Sequence, residues 1–440
     1  MRRSPSQAVA GSGGGRPYLE RNMTYIEFFD KTASENILAC LTFSPVRVIY
    51  IGDNSKLMKK HIANYEKVFV QRGSSIEFIH KTVSKSNLPN AVAVLSEIVE
   101  TYDDCVFDIT GGEEILTLAL GVVYARYPEK NIQIHKFNLR NNVVSDCDQD
   151  GKTIQIGAPA LSVEENIRIH GGDVVYGDVN EANTYKWDIS ADFRKDIDLM
   201  WAVCRGDVRY WNMQIGIFEA AEAIGTVSKD GLTTTAYRAA LDDYLLRHKL
   251  KYRRAKGIIN YLIEHGLLTY FDDQDDTTVT ISYKNPQVKK CLTKAGQALE
   301  MKVYVTAKEL TDRNAPLYND ALNGVVIDWD GQLHDEQTEK QYDTENEIDV
   351  MLMHGLIPVF ISCKNGIVTS DELYKLNTVA ERFGGKYAKK VLVATAVSLI
   401  GEAGNYLRQR AKDMNINLIE DVQNLSSEEF ARKLKNLWQG

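Results

Sequence analysis

Apolar and polar positions along this chain switch repeatedly between a two-residue and a 3.6-residue period, and the switches mark out its elements. Val46-Arg-Val-Ile-Tyr-Ile51 is a run of buried-strand type that ends in the small polar residues Gly52, Asp53, Asn54 and Ser55. Helical spacing follows from Lys56 to Arg72, then a strand over 75–80, a helix over 88–102, a strand over 105–110, a helix over 113–126 and a strand over 131–137. The residues ahead of Val46 read as helix-compatible. Strand and helix alternating in this way specify a doubly wound parallel sheet, whose ligands bind outside the carboxyl ends of the strands. The loops 52–55 and 110–113 both fall at that edge.

From about Asp192 to Leu310 the pattern is mainly helical. Helices are expected over 237–250 and 254–265; Gly266 breaks the second, and 268–271 then faces 278–283 across a polar turn. Helix, helix and two-stranded wing is a winged-helix pattern. Its basic run from Arg247 to Lys256 offers cations to phosphate, with aromatics nearby; the alternative is a solvated helix end beside an acidic wing. From Thr311 onward the pattern gives a strand over 322–329, an acidic segment over 335–345, a hairpin over 347–364, a helix from Asp371 to Glu381 and a buried strand over 388–395. That is a sheet flanked by helices. Gly384, Gly385 and Lys386 lie between this helix and strand, where they either approach a phosphate or cap the helix.

The chain of 440 residues is long enough for two to three packed domains. Residues 1–22 read as a leader or tag outside the fold, leaving expected domains at 23–165, 192–310 and 311–440. No apolar run reaches the ~18 residues of a spanning helix, so no membrane is expected and the cytoplasm is the expected location. The six cysteines are far apart and form no CxxC pair, which excludes a zinc site or a disulfide framework from the reading. A net charge of −8 excludes indiscriminate coating of nucleic acid and confines any such contact to a local patch.

Candidate chemistry concentrates in the hairpin. With a two-residue side-chain period, Glu347 and Asp349 share one face of the first strand, and Ser362 and Lys364 share one face of the second. Carboxylates suit the hard cations Mg²⁺ or Mn²⁺, and an ammonium can hold water and offset charge on phosphate, which together fit phosphodiester hydrolysis. The plainer alternative is a solvated amphipathic hairpin. The pattern resembles the PD-(D/E)xK nuclease core, with Asp349 matching its first acid and Lys364 its lysine. Ser362 stands where that pattern has an acid; some members take the missing carboxylate from the following helix, which makes Glu372 the candidate replacement, ahead of Glu381. The resemblance thus implies Asp349 and Glu372 as metal ligands and Glu347, Asp349, Ser362, Lys364 and Glu372 as the catalytic set.

Asp108-Ile-Thr110-Gly111-Gly112 ends a strand and opens a helix, a geometry that presents backbone N–H groups to an anion; a tight strand-to-helix turn is the bland alternative. Taken with Gly-Asp-Asn-Ser after the first strand, it resembles the CARF sensor domains of CRISPR-associated proteins. The order of the whole chain from Met23 onward is similar to that of the CARF-fused PD-(D/E)xK nucleases of type III CRISPR systems. That resemblance implies a Rossmann-like sensor, a homodimer with one activator pocket on its two-fold axis, and cyclic tetra-adenylate as the activator of most of this branch. Gly52, Asp53, Asn54, Ser55, Thr110, Gly111 and Gly112 would line the pocket. The implied substrate is DNA, single-stranded or supercoiled, with RNA as a second candidate, cut in antiviral defence. Glu113 and Glu114 depart from the Thr-Lys pair common in CARF loops. The rival reading is a winged-helix DNA-binding regulator with an inert nuclease fold; a sensor that also degrades its own activator ranks last.

Overall fold

The computed structural model describes residues 23–138, 143–148, 151–177, 183–274, 277–332, 345–396 and 402–438. The expected leader over 1–22 and most of the acidic segment over 335–345 lie outside the described residues. Contacts divide the chain into two compact units, one holding Glu35–Ile62 and Phe69–Gly157 together with residues up to Lys31, the other Thr32–Ser34, Ala63–Val68 and Ala158–Gly440.

The first unit is a seven-stranded sheet. Its strands are β1 (Thr24–Phe28), β2 (Arg47–Gly52), β3 (Glu77–Thr82), β4 (Asp104–Asp108), β5 (Asn131–Asn138), β6 (Val143–Asp146) and β7 (Lys152–Gln155), in the order β3-β2-β1-β4-β5-β6-β7. The pairs from β3 to β5 are parallel, and β6 and β7 extend the sheet antiparallel. Helices α1 (Leu38–Phe43), α2 (Ser55–Gln71), α3 (Leu88–Thr101) and α4 (Glu114–Arg126) complete it, and the apolar faces of α3 and α4 pack on Ile26, Ile49, Ile51 and Phe107. The stretch ahead of Val46 is not all helix-compatible: Thr24–Phe28 is the central strand, and all five of its residues are buried. Burial on both faces removes the alternation by which a half-buried strand is recognised. Because β1 leads to β2 on one side while β4 pairs on the other, strand order reverses between β1 and β4, the position where open α/β sheets bind ligands.

The second unit opens with α5 (Val163–Ile169), which carries a capping box on Ser162, and with β8 (Asp173–Val174). Helices α6 (Ala191–Gly206) and α7 (Val208–Ile224) follow, the latter capped by Asp207. The segment expected to form a winged helix comprises β9 (Thr226–Val227), β10 (Thr233–Tyr237), α8 (Arg238–Arg247), α9 (Lys256–Glu264), β11 (Leu268–Asp272) and β12 (Thr278–Tyr283). The expected pairing of β11 with β12 is present, and β10 and β9 extend it to a four-stranded sheet. Next come α10 (Pro286–Leu292), α11 (Gln297–Glu309) and the ribbon β13 (Thr311–Asp312) with β14 (Ala315–Pro316). The large sheet is built from β15 (Asp320–Asp328), β16 (Glu345–His354), β17 (Ile357–Ile367), β18 (Lys389–Ala396) and β19 (Ile416–Ile419), with α12 (Ser370–Gly384), α13 (Glu402–Asp413) and α14 (Ser427–Lys435). Its order is β19-β18-β17-β16-β15-β8, antiparallel from β8 to β17 and parallel from β17 to β19. One hydrophobic core runs through α7, the segment from β9 to β12 and this sheet, from Trp211 and Phe218 to Val350, Ile361 and Val391.

Candidate functional site

The large sheet splits at the residues singled out from the sequence. Strands β16 and β17 pair from His354 opposite Ile357 up to Val350 opposite Ile361, and no further. Beyond that point β16 pairs with β15 and β17 with β18, so the two middle strands fork. Gly324, at φ +59°, interrupts β15 at this level. The fork leaves a backbone donor without a ladder partner, and Asp349 supplies the acceptor: its Oδ2 takes the Cys363 N–H at 2.6 Å and the Ser362 hydroxyl at 3.2 Å. A cavity of about 180 Å³ lies in the fork, and Glu347, Asp349, Ser362, Lys364 and Glu372 all line it. Cys363, between two of them, points into the core. Asn365 holds the end of β17 to α7 by paired bonds with Asn212, at 2.7 and 2.5 Å.

The acids divide between two lysines. Glu372, in the first turn of α12, is ion-paired with Lys364 at 2.9 Å. Glu347 is paired at 2.6 Å with Lys294, which also reaches the buried Glu300 at 3.3 Å. Among the described residues, Glu300, Glu347 and Asp349 form a group whose ligand oxygens lie within 4.8 Å of one another, close enough to share a cation. Glu300 comes from α11, which is buried over most of its length and packs on β15, β16 and β17. Gln297, one turn earlier, donates to Asn323 at 2.8 Å, and Asn323 donates to the Asp349 carbonyl at 2.9 Å, fixing helix and strand in register. Burial pushes the Glu300 carboxyl up to about 8 against the pull of Lys294. Asp349 is raised by burial as well, with the Cys363 N–H opposing. Burial works against the charge on Lys364, yet the bond to Glu372 leaves it above its ordinary value. Sequence reasoning did not reach Glu300. The available signal was an acid at a helical position flanked by Leu299, Met301 and Val303, where a solvated charge has no place.

In the first unit, the two loops expected to hold an anion flank the carboxyl end of β1. Gly52 closes β2, the Asn54 side chain caps α2 by accepting from Leu57 N at 3.0 Å, and the Ser55 hydroxyl meets His80 Nε2 at 3.1 Å. Lys85 bridges the loops, with Asp53 at 3.1 Å and Glu113 at 2.9 Å. Thr110 is held inside the protein: its N–H donates to Asp108 at 2.7 Å, its hydroxyl donates to the same carboxylate, and its oxygen accepts from Phe137 N at 2.8 Å. Internal packing already requires both glycines. A Cβ on Gly111 would meet Asp30 Cβ at 2.9 Å, and one on Gly112, whose φ is +89°, would meet Phe28 Cβ at 2.4 Å. Beneath the loop, Asp108 lies in register with Glu27 of β1, and both are buried. Burial pushes Asp108 up to about 7 and Glu27 well above its ordinary range.

Several cations of the 247–256 run are tied within the protein. Arg247 pairs with Asp243, Arg254 with Asp273 at 2.7 Å, and Arg253 stacks over Tyr210. Gly385, at φ +60°, ends α12, and a Cβ on Gly384 would meet Phe360 at 2.7 Å, so chain geometry accounts for both glycines.

Among the described residues no helix is long and apolar enough to cross a membrane. No family model matches the chain, and no curated protein matches it. Solved structures do, two of them as follows. Protein VC1899 from Vibrio cholerae superposes with a TM-score of 0.68 at 16% identity, over 95% of this chain and 97% of its own. Can2 from Sulfobacillus thermosulfidooxidans, solved in complex with cyclic tetra-adenylate, superposes with a TM-score of 0.63 at 15% identity, over 95% of this chain and 99% of its own. The mixed α/β fold of this chain is therefore the fold of VC1899 and Can2.

Proposed function

We propose that this chain is a metal-dependent endonuclease switched on by a cyclic oligoadenylate, with cyclic tetra-adenylate the first candidate, acting on DNA in type III CRISPR defence. The first unit is then the CARF sensor, and the forked sheet of the second the PD-(D/E)xK nuclease. The observation that carries the reading is the convergence of Glu300, Glu347 and Asp349 within 4.8 Å, beside a cavity that also holds Lys364. Can2, which shares the fold end to end, binds cyclic tetra-adenylate, and the switch-point loops carry the residues expected for such a ligand.

Three carboxylates at this spacing are the donor set that Mg²⁺ or Mn²⁺ takes, and a dication relieves the burial of Glu300 and Asp349. Bound there, the ion would polarise the phosphoryl oxygen and lower the pKa of a coordinated water. The protein supplies the rest. Ser362 and Cys363 N–H fix the rotamer of Asp349, leaving its other oxygen toward the cavity. Lys364, held by Glu372, donates to the attacking water or to the phosphoryl oxygen and offsets charge as the phosphorus–oxygen bond breaks. In this assignment Glu300 supplies the acid that Ser362 does not, and Glu372 acts through Lys364. At the sensor, Lys85 provides the cation that Glu113 and Glu114 do not.

The test is purified protein with Mn²⁺ or Mg²⁺, with and without cyclic tetra- and hexa-adenylate, on single-stranded DNA, RNA and supercoiled plasmid. Cleavage that requires both metal and activator is expected. Tight activator binding with no cleavage of any polymer would overturn the nuclease and leave the DNA-binding regulator.

A further inference from the structure

We propose that Lys294 is a built-in competitor for the divalent ion: it bridges two of the three carboxylates and must swing away before the ion can bind, so that binding of the ion and release of Lys294 are one event. This rests on the nuclease reading and deepens it by naming what the ion displaces. The two lysines of the site divide its acids unequally. Lys364 pairs with Glu372, which lies outside the group of carboxylates close enough to share a cation. Lys294 pairs with two members of that group, Glu347 at 2.6 Å and Glu300 at 3.3 Å. An ion at this place draws on the same two carboxylates, Mg²⁺ at ~2.0–2.1 Å, and its charge repels an ammonium held there. Lys364 can work beside the ion, whereas Lys294 competes with it.

The backbone beside Lys294 is tied down, so the displacement is a swing of the side chain. Lys294 lies in the turn between α10 and α11, and the next carbonyl, that of Ala295, accepts from Trp211 Nε1 at 3.3 Å and from Asn365 Nδ2 at 3.4 Å. The same turn covers the second oxygen of Glu300: a Cβ on Gly296 would meet Glu300 Oε1 at 3.1 Å, while Lys294 takes Oε2. A lysine is a point charge on a long flexible stem and can exchange one acid for another without moving its backbone. The freed ammonium has a place to go. Lys294 also lines a cleft of about 530 Å³ beside the fork, and there it shares the wall with the exposed Glu219 of α7, near enough for the two charges to interact. Glu222, on the same wall, is already taken by Lys289 at 2.5 Å.

The experiment titrates Mn²⁺ into the full chain and its variants by calorimetry, with no cleavage read. Lys294→Gln and Lys294→Met should each bind Mn²⁺ about 10-fold more tightly or better, the scale of one lost hydrogen bond between charged groups. Lys294→Arg, which keeps the charge and its donors, should stay near the wild type. Lys375→Gln removes an exposed lysine from the lining of the fork cavity and should change the affinity far less, which separates a direct bond from a general loss of positive charge. A second measurement uses the wild-type chain and needs no variant to fold. The Lys294 side chain is 40% exposed, within reach of an acetylating reagent such as N-hydroxysulfosuccinimidyl acetate, and its modification, read by peptide mass spectrometry, should rise several-fold when Mn²⁺ is added. Mn²⁺ affinity that is unchanged or lowered in a folded Lys294→Gln, or acetylation that Mn²⁺ leaves unchanged in a wild-type chain that binds it, would overturn the competition and leave the metal site standing. A gain in Lys375→Gln equal to that in Lys294→Gln would do the same. No Mn²⁺ binding by the wild type or by either neutral Lys294 variant would overturn both this and the metal-dependent nuclease.

Discussion

Ser362 decides how the fork holds its acid. Its hydroxyl is one of two donors to the same Asp349 oxygen, so Ser362→Ala leaves the Cys363 N–H in place and should slow cleavage less than 10-fold, in line with ~1.5–3 kcal/mol for a hydrogen bond to a charged group of which part is retained. Lys364→Ala removes the only lysine that the sheet itself aims into the fork among the described residues, and the rate should fall ~10²-fold or more, with activator affinity by calorimetry unchanged. Glu300 and Glu372 separate by readout. Glu300→Gln should weaken Mn²⁺ binding in a calorimetric titration. Glu372→Gln frees Lys364 and should lower the rate with Mn²⁺ affinity retained. The reverse ranking would put the missing acid back on α12. Glycine scanning of the sensor loop cannot report ligand contact by itself, because Gly111 and Gly112 are already required by Asp30 and Phe28.

At the scale of elements, what the sequence revealed depended on whether the signal was local. The hairpin of β16 and β17 was legible because its alternation and turn lie within one short stretch, and so were the parallel strands β2 to β5, each followed or preceded by a periodic helix. β1 was missed because it is buried on both faces and lacks alternation. Glu300 was missed because it meets Glu347 and Asp349 only through the packing of α11 on the sheet, a contact no local pattern encodes. The pair formed by β1 and β4 carries a pH dependence. Asp108 has a folded pKa raised from its ordinary 3.8 to about 7, chiefly by burial, so the native state keeps a proton that the unfolded chain loses. Its favourable contribution is complete below pH ~4 and is lost as the pH rises through about 7. Thermal melting between pH 5.5 and 8 should therefore show stability falling toward the alkaline end. Asp108→Asn, which still accepts from Thr110, should flatten that slope; an unchanged slope would remove Asp108 as its source.

For the whole molecule, the first unit's α4 presents apolar residues on two faces rather than one. Leu116, Ala119, Leu120 and Val123 pack into the core, while Leu118 is 64% exposed and Val122 40% exposed, with the exposed Gly121 and Ala125 completing a second stripe at helical spacing. Such a stripe on a monomer leaves apolar surface in water, whereas a second copy of the same helix would cover it about a two-fold axis, small residues allowing close approach. α4 begins directly after the Thr110, Gly111 and Gly112 loop, so pairing through it would bring two such loops toward one axis and give a cyclic, symmetric activator a shared pocket. Leu118→Arg places like charges opposite each other at that axis. If the wild-type chain pairs through α4, light scattering should then show the mass falling from two chains to one, with activator-dependent cleavage lost and Mn²⁺ binding retained, because the carboxylates belong to the second unit. A dimer that survives Leu118→Arg would move the interface off α4. A wild-type chain that is monomeric with activator bound would end the two-fold pocket altogether.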